Sequence, residues 1–185
     1  MAPLRVFITG ASSGIGSALA RHYATRGASL GLAARRGEQL QTLAGELIGI
    51  GAAAVSCHPL DVADADALRH AAEEFTRQTG TPDIVIANAG VSSGTLTEHQ
   101  EDLAVIRRIL EINVFGMAAT FSPFIAAMQK RGSGRLVGIA SVAGIRGLPG
   151  AEAYSASKAA AIAYLESLRL EMRPSGVKVV TIAPG

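Results

Sequence analysis

Six short apolar stretches alternate with helical patterns along the whole chain, one strand–helix unit roughly every 30 residues, the size of a βαβ crossover. The strands read at Leu4–Thr9, Ser29–Ala33, Ala53–His58, Asp83–Ala87, Arg135–Ala140 and Val177–Ile182. Helical patterns fill Ile15–Arg26, Glu38–Ile48, Asp64–Gln78, Asp102–Lys130 and Ser155–Arg173, with Asp61 or Asp64 available to cap the third. A helix between successive strands enforces parallel pairing and right-handed connections. The strands are continuously apolar rather than alternating, the pattern of a sheet covered on both faces. These features predict an α/β fold: a Rossmann-like, doubly wound parallel sheet of six strands with flanking helices. No linker or low-complexity segment interrupts it, so residues 1–185 are expected to form a single domain.

Composition narrows the function classes. The chain is 49% hydrophobic and only 17% charged, which excludes intrinsic disorder. Aromatics are 4%, and 17 basic against 15 acidic residues leave a formal charge of +2 without a block of like sign, so no nucleic-acid partner is expected. The lone Cys57 excludes an internal disulfide framework and a cysteine metal cage. His22, His70 and His99 lack metal-ligand spacing, and no metal is expected. The first strand begins too early for a signal peptide before it, and no apolar run approaches the ~18–20 residues of a membrane span. The expectation is a cytoplasmic protein without stable membrane insertion.

The turn after the first strand carries Gly10, Gly14 and Gly16, spaced Gly-x3-Gly-x-Gly. Glycine permits positive φ and a close ligand approach, and the helix that follows presents free N–H groups and a positive dipole end to a pyrophosphate. An ordinary strand-to-helix turn also uses glycine, but three in the first βα turn of an α/β chain favour nucleotide binding. Farther along, Tyr154 and Lys158 stand four residues apart and therefore share a helical face. An ammonium ~4 Å from a phenolic oxygen, at an effective dielectric of ~20, stabilises the phenolate by on the order of 4 kcal/mol. Such a pair suits acid/base catalysis.

Taken together, these residues resemble the short-chain dehydrogenase/reductase (SDR) family over the whole chain. Thr9–Gly16 looks like that family's cofactor motif, Asn88-Ala89-Gly90 like the motif after its fourth strand, and Ser141, Tyr154 and Lys158 like its Ser and Tyr-x3-Lys. Asn113 falls at its helix Asn, and Pro184-Gly185 at the Pro-Gly after its sixth strand. The resemblance implies an oxidoreductase that interconverts a carbonyl (ketone or aldehyde) and an alcohol by hydride transfer. In that reading Tyr154 is the general acid/base, and Lys158 tunes it and hydrogen-bonds the nicotinamide ribose. Ser141 orients the substrate carbonyl, and Asn113 holds a water that links Lys158 to solvent. A distorting, purely structural Asn113 is the alternative.

The cofactor-binding set would comprise Gly10, Ser12, Ser13, Gly14, Ile15, Gly16, Arg35, Asp61, Val62, Asn88, Ala89, Gly90, Pro184 and Gly185, with Tyr154 and Lys158. Asp61-Val62 resembles the adenine-contacting pair. In dinucleotide folds an acidic residue at the end of the second strand selects NAD, and an Arg accepts the 2′-phosphate of NADP. Ala34 stands at the acidic position and Arg35 follows it, so NADP(H) is expected to be preferred, with NAD(H) possible. The alternative is that Arg35 and Arg36 only solvate the next helix.

Val91–Thr97 and Val142–Ala153 are expected to line the substrate pocket; they fit a small carbonyl or alcohol without naming it. The resemblance also implies a homodimer or homotetramer built on the two long helices, where Leu103, Ile106, Leu110, Met117 and Phe121 exceed what an internal core needs. Family members continue past the sixth strand with a substrate lid and a seventh strand, so the chain is expected to belong to a longer polypeptide. A binding protein that senses NADP(H) without turnover is the rival reading; the intact Ser141, Tyr154 and Lys158 set argues against it.

Overall fold

The computed structural model describes residues 2–185. Its strands are β1 (Arg5–Thr9), β2 (Ser29–Ala34), β3 (Ala54–Pro59), β4 (Ile84–Ala87), β5 (Gly134–Ile139) and β6 (Val177–Ile182). Its helices are α1 (Gly14–Ala24), α2 (Gly37–Gly49), α3 (Ala65–Thr79), α4 (Asp102–Leu110), α5 (Gly116–Arg131) and α6 (Glu152–Met172). All strand pairs are parallel, in the order β3-β2-β1-β4-β5-β6. The order reverses between β1 and β4, which opens a crevice at the carboxyl ends of the strands where ligands bind in such sheets.

The two-residue period of a strand explains why these segments look uniformly apolar. Phe7 and Val85 face one side, among Phe75 of α3, Phe121 and Phe124 of α5 and Leu165 of α6. Val6, Ile8, Ile84 and Ile86 face the other, among Ala20 of α1 and Leu40, Leu43 and Leu47 of α2. Both faces are core, so the buried polar side chains of the strands, such as Thr9 and His58, each need a hydrogen-bond partner. β6 departs from this pattern: Val177 and Val179 are buried, while Val180 and Ile182 are 37% and 41% exposed.

The stretch expected as one helix over Asp102–Lys130 is α4 and α5 joined through a π-helical turn at Glu111–Phe115. Propensity does not reveal that extra residue, because Glu-Ile-Asn-Val-Phe continues the apolar pattern. Together α4, the π turn and α5 are long and apolar enough to cross a membrane, contrary to the expectation that no run was; half of the most apolar window is buried within the protein. The charges of this stretch lie toward its two ends, Asp102, Arg107, Arg108 and Glu111 at one and Lys130 and Arg131 at the other, with none from 112 to 129. Met117 and Phe121 are buried core, whereas Leu103, Leu110 and Phe115 remain exposed.

Candidate active site

The glycine turn is built by close backbone packing. Gly10 has φ +67° and Gly14 φ +56°, the left-handed region that favours glycine. A Cβ on Gly10 would lie 2.7 Å from Ala89 Cα, and one on Gly16 2.3 Å from the Gly10 carbonyl oxygen. Asn88 locks this approach from β4: its Nδ2 donates to the carbonyls of Thr9 and Gly10, each at 3.1 Å. Beyond the turn, Ser13 at the α1 N-cap makes no side-chain capping bond, and the first turn holds no acidic residue. The positive end of α1 therefore has no anion of its own, and Ser13, Gly14 and Ile15 beside it are exposed. This cradle fits a pyrophosphate.

A 630 Å³ cavity runs from this turn across the carboxyl ends of the strands. All the expected site residues border it except Gly14, Gly16 and Asn113. Gly14 stands at the exposed tip of the turn, and Gly16 is buried behind it. At the far end stand Ser141, Tyr154 and Lys158. α6 begins at Glu152, three residues before the expected start, so Tyr154 lies inside its first turn. One turn on, Lys158 places Nζ 5.6 Å from the Tyr154 ring centroid. Lys158 is only 4% exposed and donates to the Ile139 carbonyl at 2.9 Å. Burial pushes its ammonium below the ordinary lysine value. Ser141 caps a short 3₁₀ turn, Val142–Gly144, accepting from the Ala143 amide at 3.2 Å. That bond does not use its hydroxyl proton.

Asn113 sits in the π turn, 1% exposed. Its Oδ1 accepts from the Val91 amide at 2.8 Å, and its Nδ2 donates to the Val91 carbonyl and to Ser157 Oγ, both at 2.9 Å. Ser157 Oγ donates in turn to the Tyr154 carbonyl at 2.7 Å. Asn113 thus ties the loop after β4 to the helix that carries the Tyr/Lys pair. A Cβ on Gly90 would lie 3.4 Å from both Asn113 Oδ1 and Lys158 Nζ, so glycine there lets the three segments meet.

At the opposite end of the cavity, Arg35 and Arg36 follow β2 and both border it. Arg36, which sequence left to solvent or to helix α2, reaches the glycine turn: its guanidinium donates to Ser12 Oγ at 3.0 Å and to Ser13 Oγ at 2.6 Å. Asp64 caps α3 through the Ala67 amide. Asp61 instead faces the cavity, accepting from the Ala63 amide at 3.0 Å and from the Arg108 guanidinium. Burial opposes ionisation of Asp61, but the Ala63 amide, Arg108 and the charge of Arg35 together hold its carboxyl below the usual carboxylate value. No local spacing announced Arg108, which is 47 residues away in the chain.

The sheet order, the glycine turn at its switch point and the Tyr/Lys pair across the cleft define a protein of the dinucleotide-binding α/β class. The profile described as short chain dehydrogenase matches residues 5–185. The chain belongs to this short-chain dehydrogenase family. It is 44% identical over 180 residues to an uncharacterized oxidoreductase of Myxococcus xanthus, covering 96% of this chain and 70% of that one. Among solved structures, a metagenomic short-chain oxidoreductase in complex with NADP superposes with a TM-score of 0.91 at 30% identity, over 100% of this chain and 82% of that one. NAD+-bound xylitol dehydrogenase superposes with a TM-score of 0.92 at 29% identity, over 98% and 70%. The chain spans 56–60% of the length of several animal relatives 36–38% identical to it.

Proposed function

We propose that this chain is the catalytic core of an NADP(H)-dependent oxidoreductase that interconverts a small ketone or aldehyde and the corresponding alcohol. The observation that carries this reading is one continuous cavity with an anion cradle at the α1 N-terminus and Ser141, Tyr154 and Lys158 at its other end. Gly10, Ser12, Ser13, Ile15, Asn88, Ala89 and Gly90 would hold the dinucleotide, with Asp61 and Val62 at the adenine and Pro184-Gly185 near the nicotinamide end. Ala34 in place of an acidic residue at the end of β2 and the two guanidinium groups of Arg35 and Arg36 favour the 2′-phosphate of NADP(H); NAD(H) is the second candidate.

When bound, the nicotinamide supplies or accepts the hydride. In the reducing direction Tyr154 donates its phenolic proton to the carbonyl oxygen as charge develops there. Ser141 donates its hydroxyl proton as a hydrogen bond to the same oxygen, which orients the substrate and stabilises the transition state. The buried Lys158 cation stabilises the phenolate left behind. Asn113 sets the spacing of the Val91 loop and α6; a water relay from Lys158 to solvent passes on this side of the cleft in our reading. In the oxidising direction Tyr154 takes the alcohol proton. The exposed Leu103, Leu110 and Phe115 on α4 and the π turn support a homo-oligomer.

The test is oxidation of NADPH, followed by near-UV absorbance, against a panel of carbonyl compounds, with Tyr154→Phe as control. Turnover by the wild type, with loss of turnover and retained NADPH binding in Tyr154→Phe, supports the proposal. Near-wild-type kcat in Tyr154→Phe, or binding by the wild type without turnover on the whole panel, overturns it.

A further inference from the structure

We infer that Arg108 is a positioning residue for the adenine end of the cleft: it holds the Asp61 carboxylate in the orientation that receives the adenine 6-amino group. This rests on the dinucleotide reading above. Asp61 follows edge strand β3, where a free carboxylate would rotate among solvent-facing conformers. Two donors from different elements prevent that. The Ala63 amide bonds Oδ1 at 3.0 Å, and the Arg108 guanidinium bonds Oδ2. An ionised carboxylate has about four acceptor sites, so two remain for a ligand N–H.

Arg108 does not border the main cavity. It lines an adjoining 380 Å³ recess with Ile109 and Ile112, and so reaches a bound dinucleotide through Asp61 rather than directly. It is itself held in place, with the Glu111 carboxylate 3.5 Å from its other terminal nitrogen. Arg35 and Arg108 both flank Asp61, and they keep the carboxylate charged in spite of its partial burial. An acceptor that stays ionised and oriented selects for the amino group of adenine and against a purine that presents a carbonyl at the same position.

The experiment measures Kd for NADPH and for its hypoxanthine analogue, in which a carbonyl replaces the 6-amino group, with wild type, Arg108→Ala and Arg108→Lys. The wild type is expected to bind NADPH more tightly than the analogue. Arg108→Ala should weaken NADPH about 5-fold, the upper end for a partly exposed ion pair, and change the analogue by less than about 2-fold. Arg108→Lys, which keeps the cation, should restore most of the NADPH affinity. Equal weakening of both ligands in Arg108→Ala would mark a merely structural role and overturn the inference. So would unchanged NADPH binding in Arg108→Ala, or a wild type indifferent to the 6-amino group; these leave the dinucleotide reading standing. A wild type that binds neither ligand overturns both.

Discussion

Asn113→Ala should destabilise the whole domain, and the structure sets the scale. The substitution removes an acceptor from the Val91 amide and a donor from the Val91 carbonyl. It also removes one of the partners of Ser157 Oγ, which keeps its bond to the Tyr154 carbonyl. Leaving a buried backbone group unpaired costs about 1–3 kcal/mol, so two give about 2–6 kcal/mol. Val91 is only half-buried, and water recovers part of that, which leaves about 2–3 kcal/mol. For a chain of this size each kcal/mol lowers Tm by about 2–4 °C, giving a drop of about 4–12 °C. Calorimetry of wild type and variant at one pH reads it. Asn113→Asp is the informative partner, since it keeps an acceptor for the Val91 amide but loses both donors and buries a charge; it should melt below wild type as well. A Tm for Asn113→Ala within about 1 °C of wild type would refute the claim that this side chain staples the β4 loop to α6.

Other outcomes follow from the same geometry. Arg35→Ala should weaken NADPH about 10-fold or more, the value of a charge-assisted bond to a phosphate, and leave NADH nearly unchanged; equal effects on both, by titration calorimetry, would remove Arg35 from cofactor choice. His58 is 6% exposed, between Ser56 Oγ at 3.0 Å and the Glu74 carboxylate at 3.5 Å. Burial lowers its pKa below the ordinary 6.5, and Glu74 only partly offsets this. The unfolded chain therefore binds the proton first, so stability is constant above that value and falls as pH drops below it. Urea midpoints should be lower at pH 5.5 than at pH 7.5 for wild type, with a smaller difference in His58→Gln; equal differences in the two would exclude His58 as the source.

The central motifs were legible because their physics is local. Three glycines in one turn, a Tyr and a Lys one helical turn apart, and apolar strands at a crossover spacing each signal their structure within a few residues. Parallel pairing and the doubly wound class followed from connection rules that need no side-chain detail. What stayed hidden depends on distant partners. Asp61 and Arg108 meet only because β3 and α4 converge at the carboxyl edge. Arg36 was visible beside Arg35, yet its bonds to Ser12 and Ser13 require β2 and the glycine turn to be packed together. The π turn at Glu111–Phe115 interrupts no periodicity strongly enough to be read in sequence; at its centre Asn113 makes three bonds to Val91 and Ser157. The exposed outer face of β6 was marked in sequence only by Lys178, since Val180 and Ile182 beside it are as apolar as the central strands.

The central claim is that the Tyr154/Lys158 end of the cavity passes a hydride between a nicotinamide and a carbonyl carbon. Incubation with NADPH deuterated at the transferring C4 position, a carbonyl substrate found by the panel, and mass spectrometry of the alcohol tests it directly. The account predicts alcohol one mass unit heavier at the carbinol carbon from the wild type, and none formed by Tyr154→Phe. Unlabelled alcohol, or labelled alcohol formed equally well by Tyr154→Phe, would contradict it.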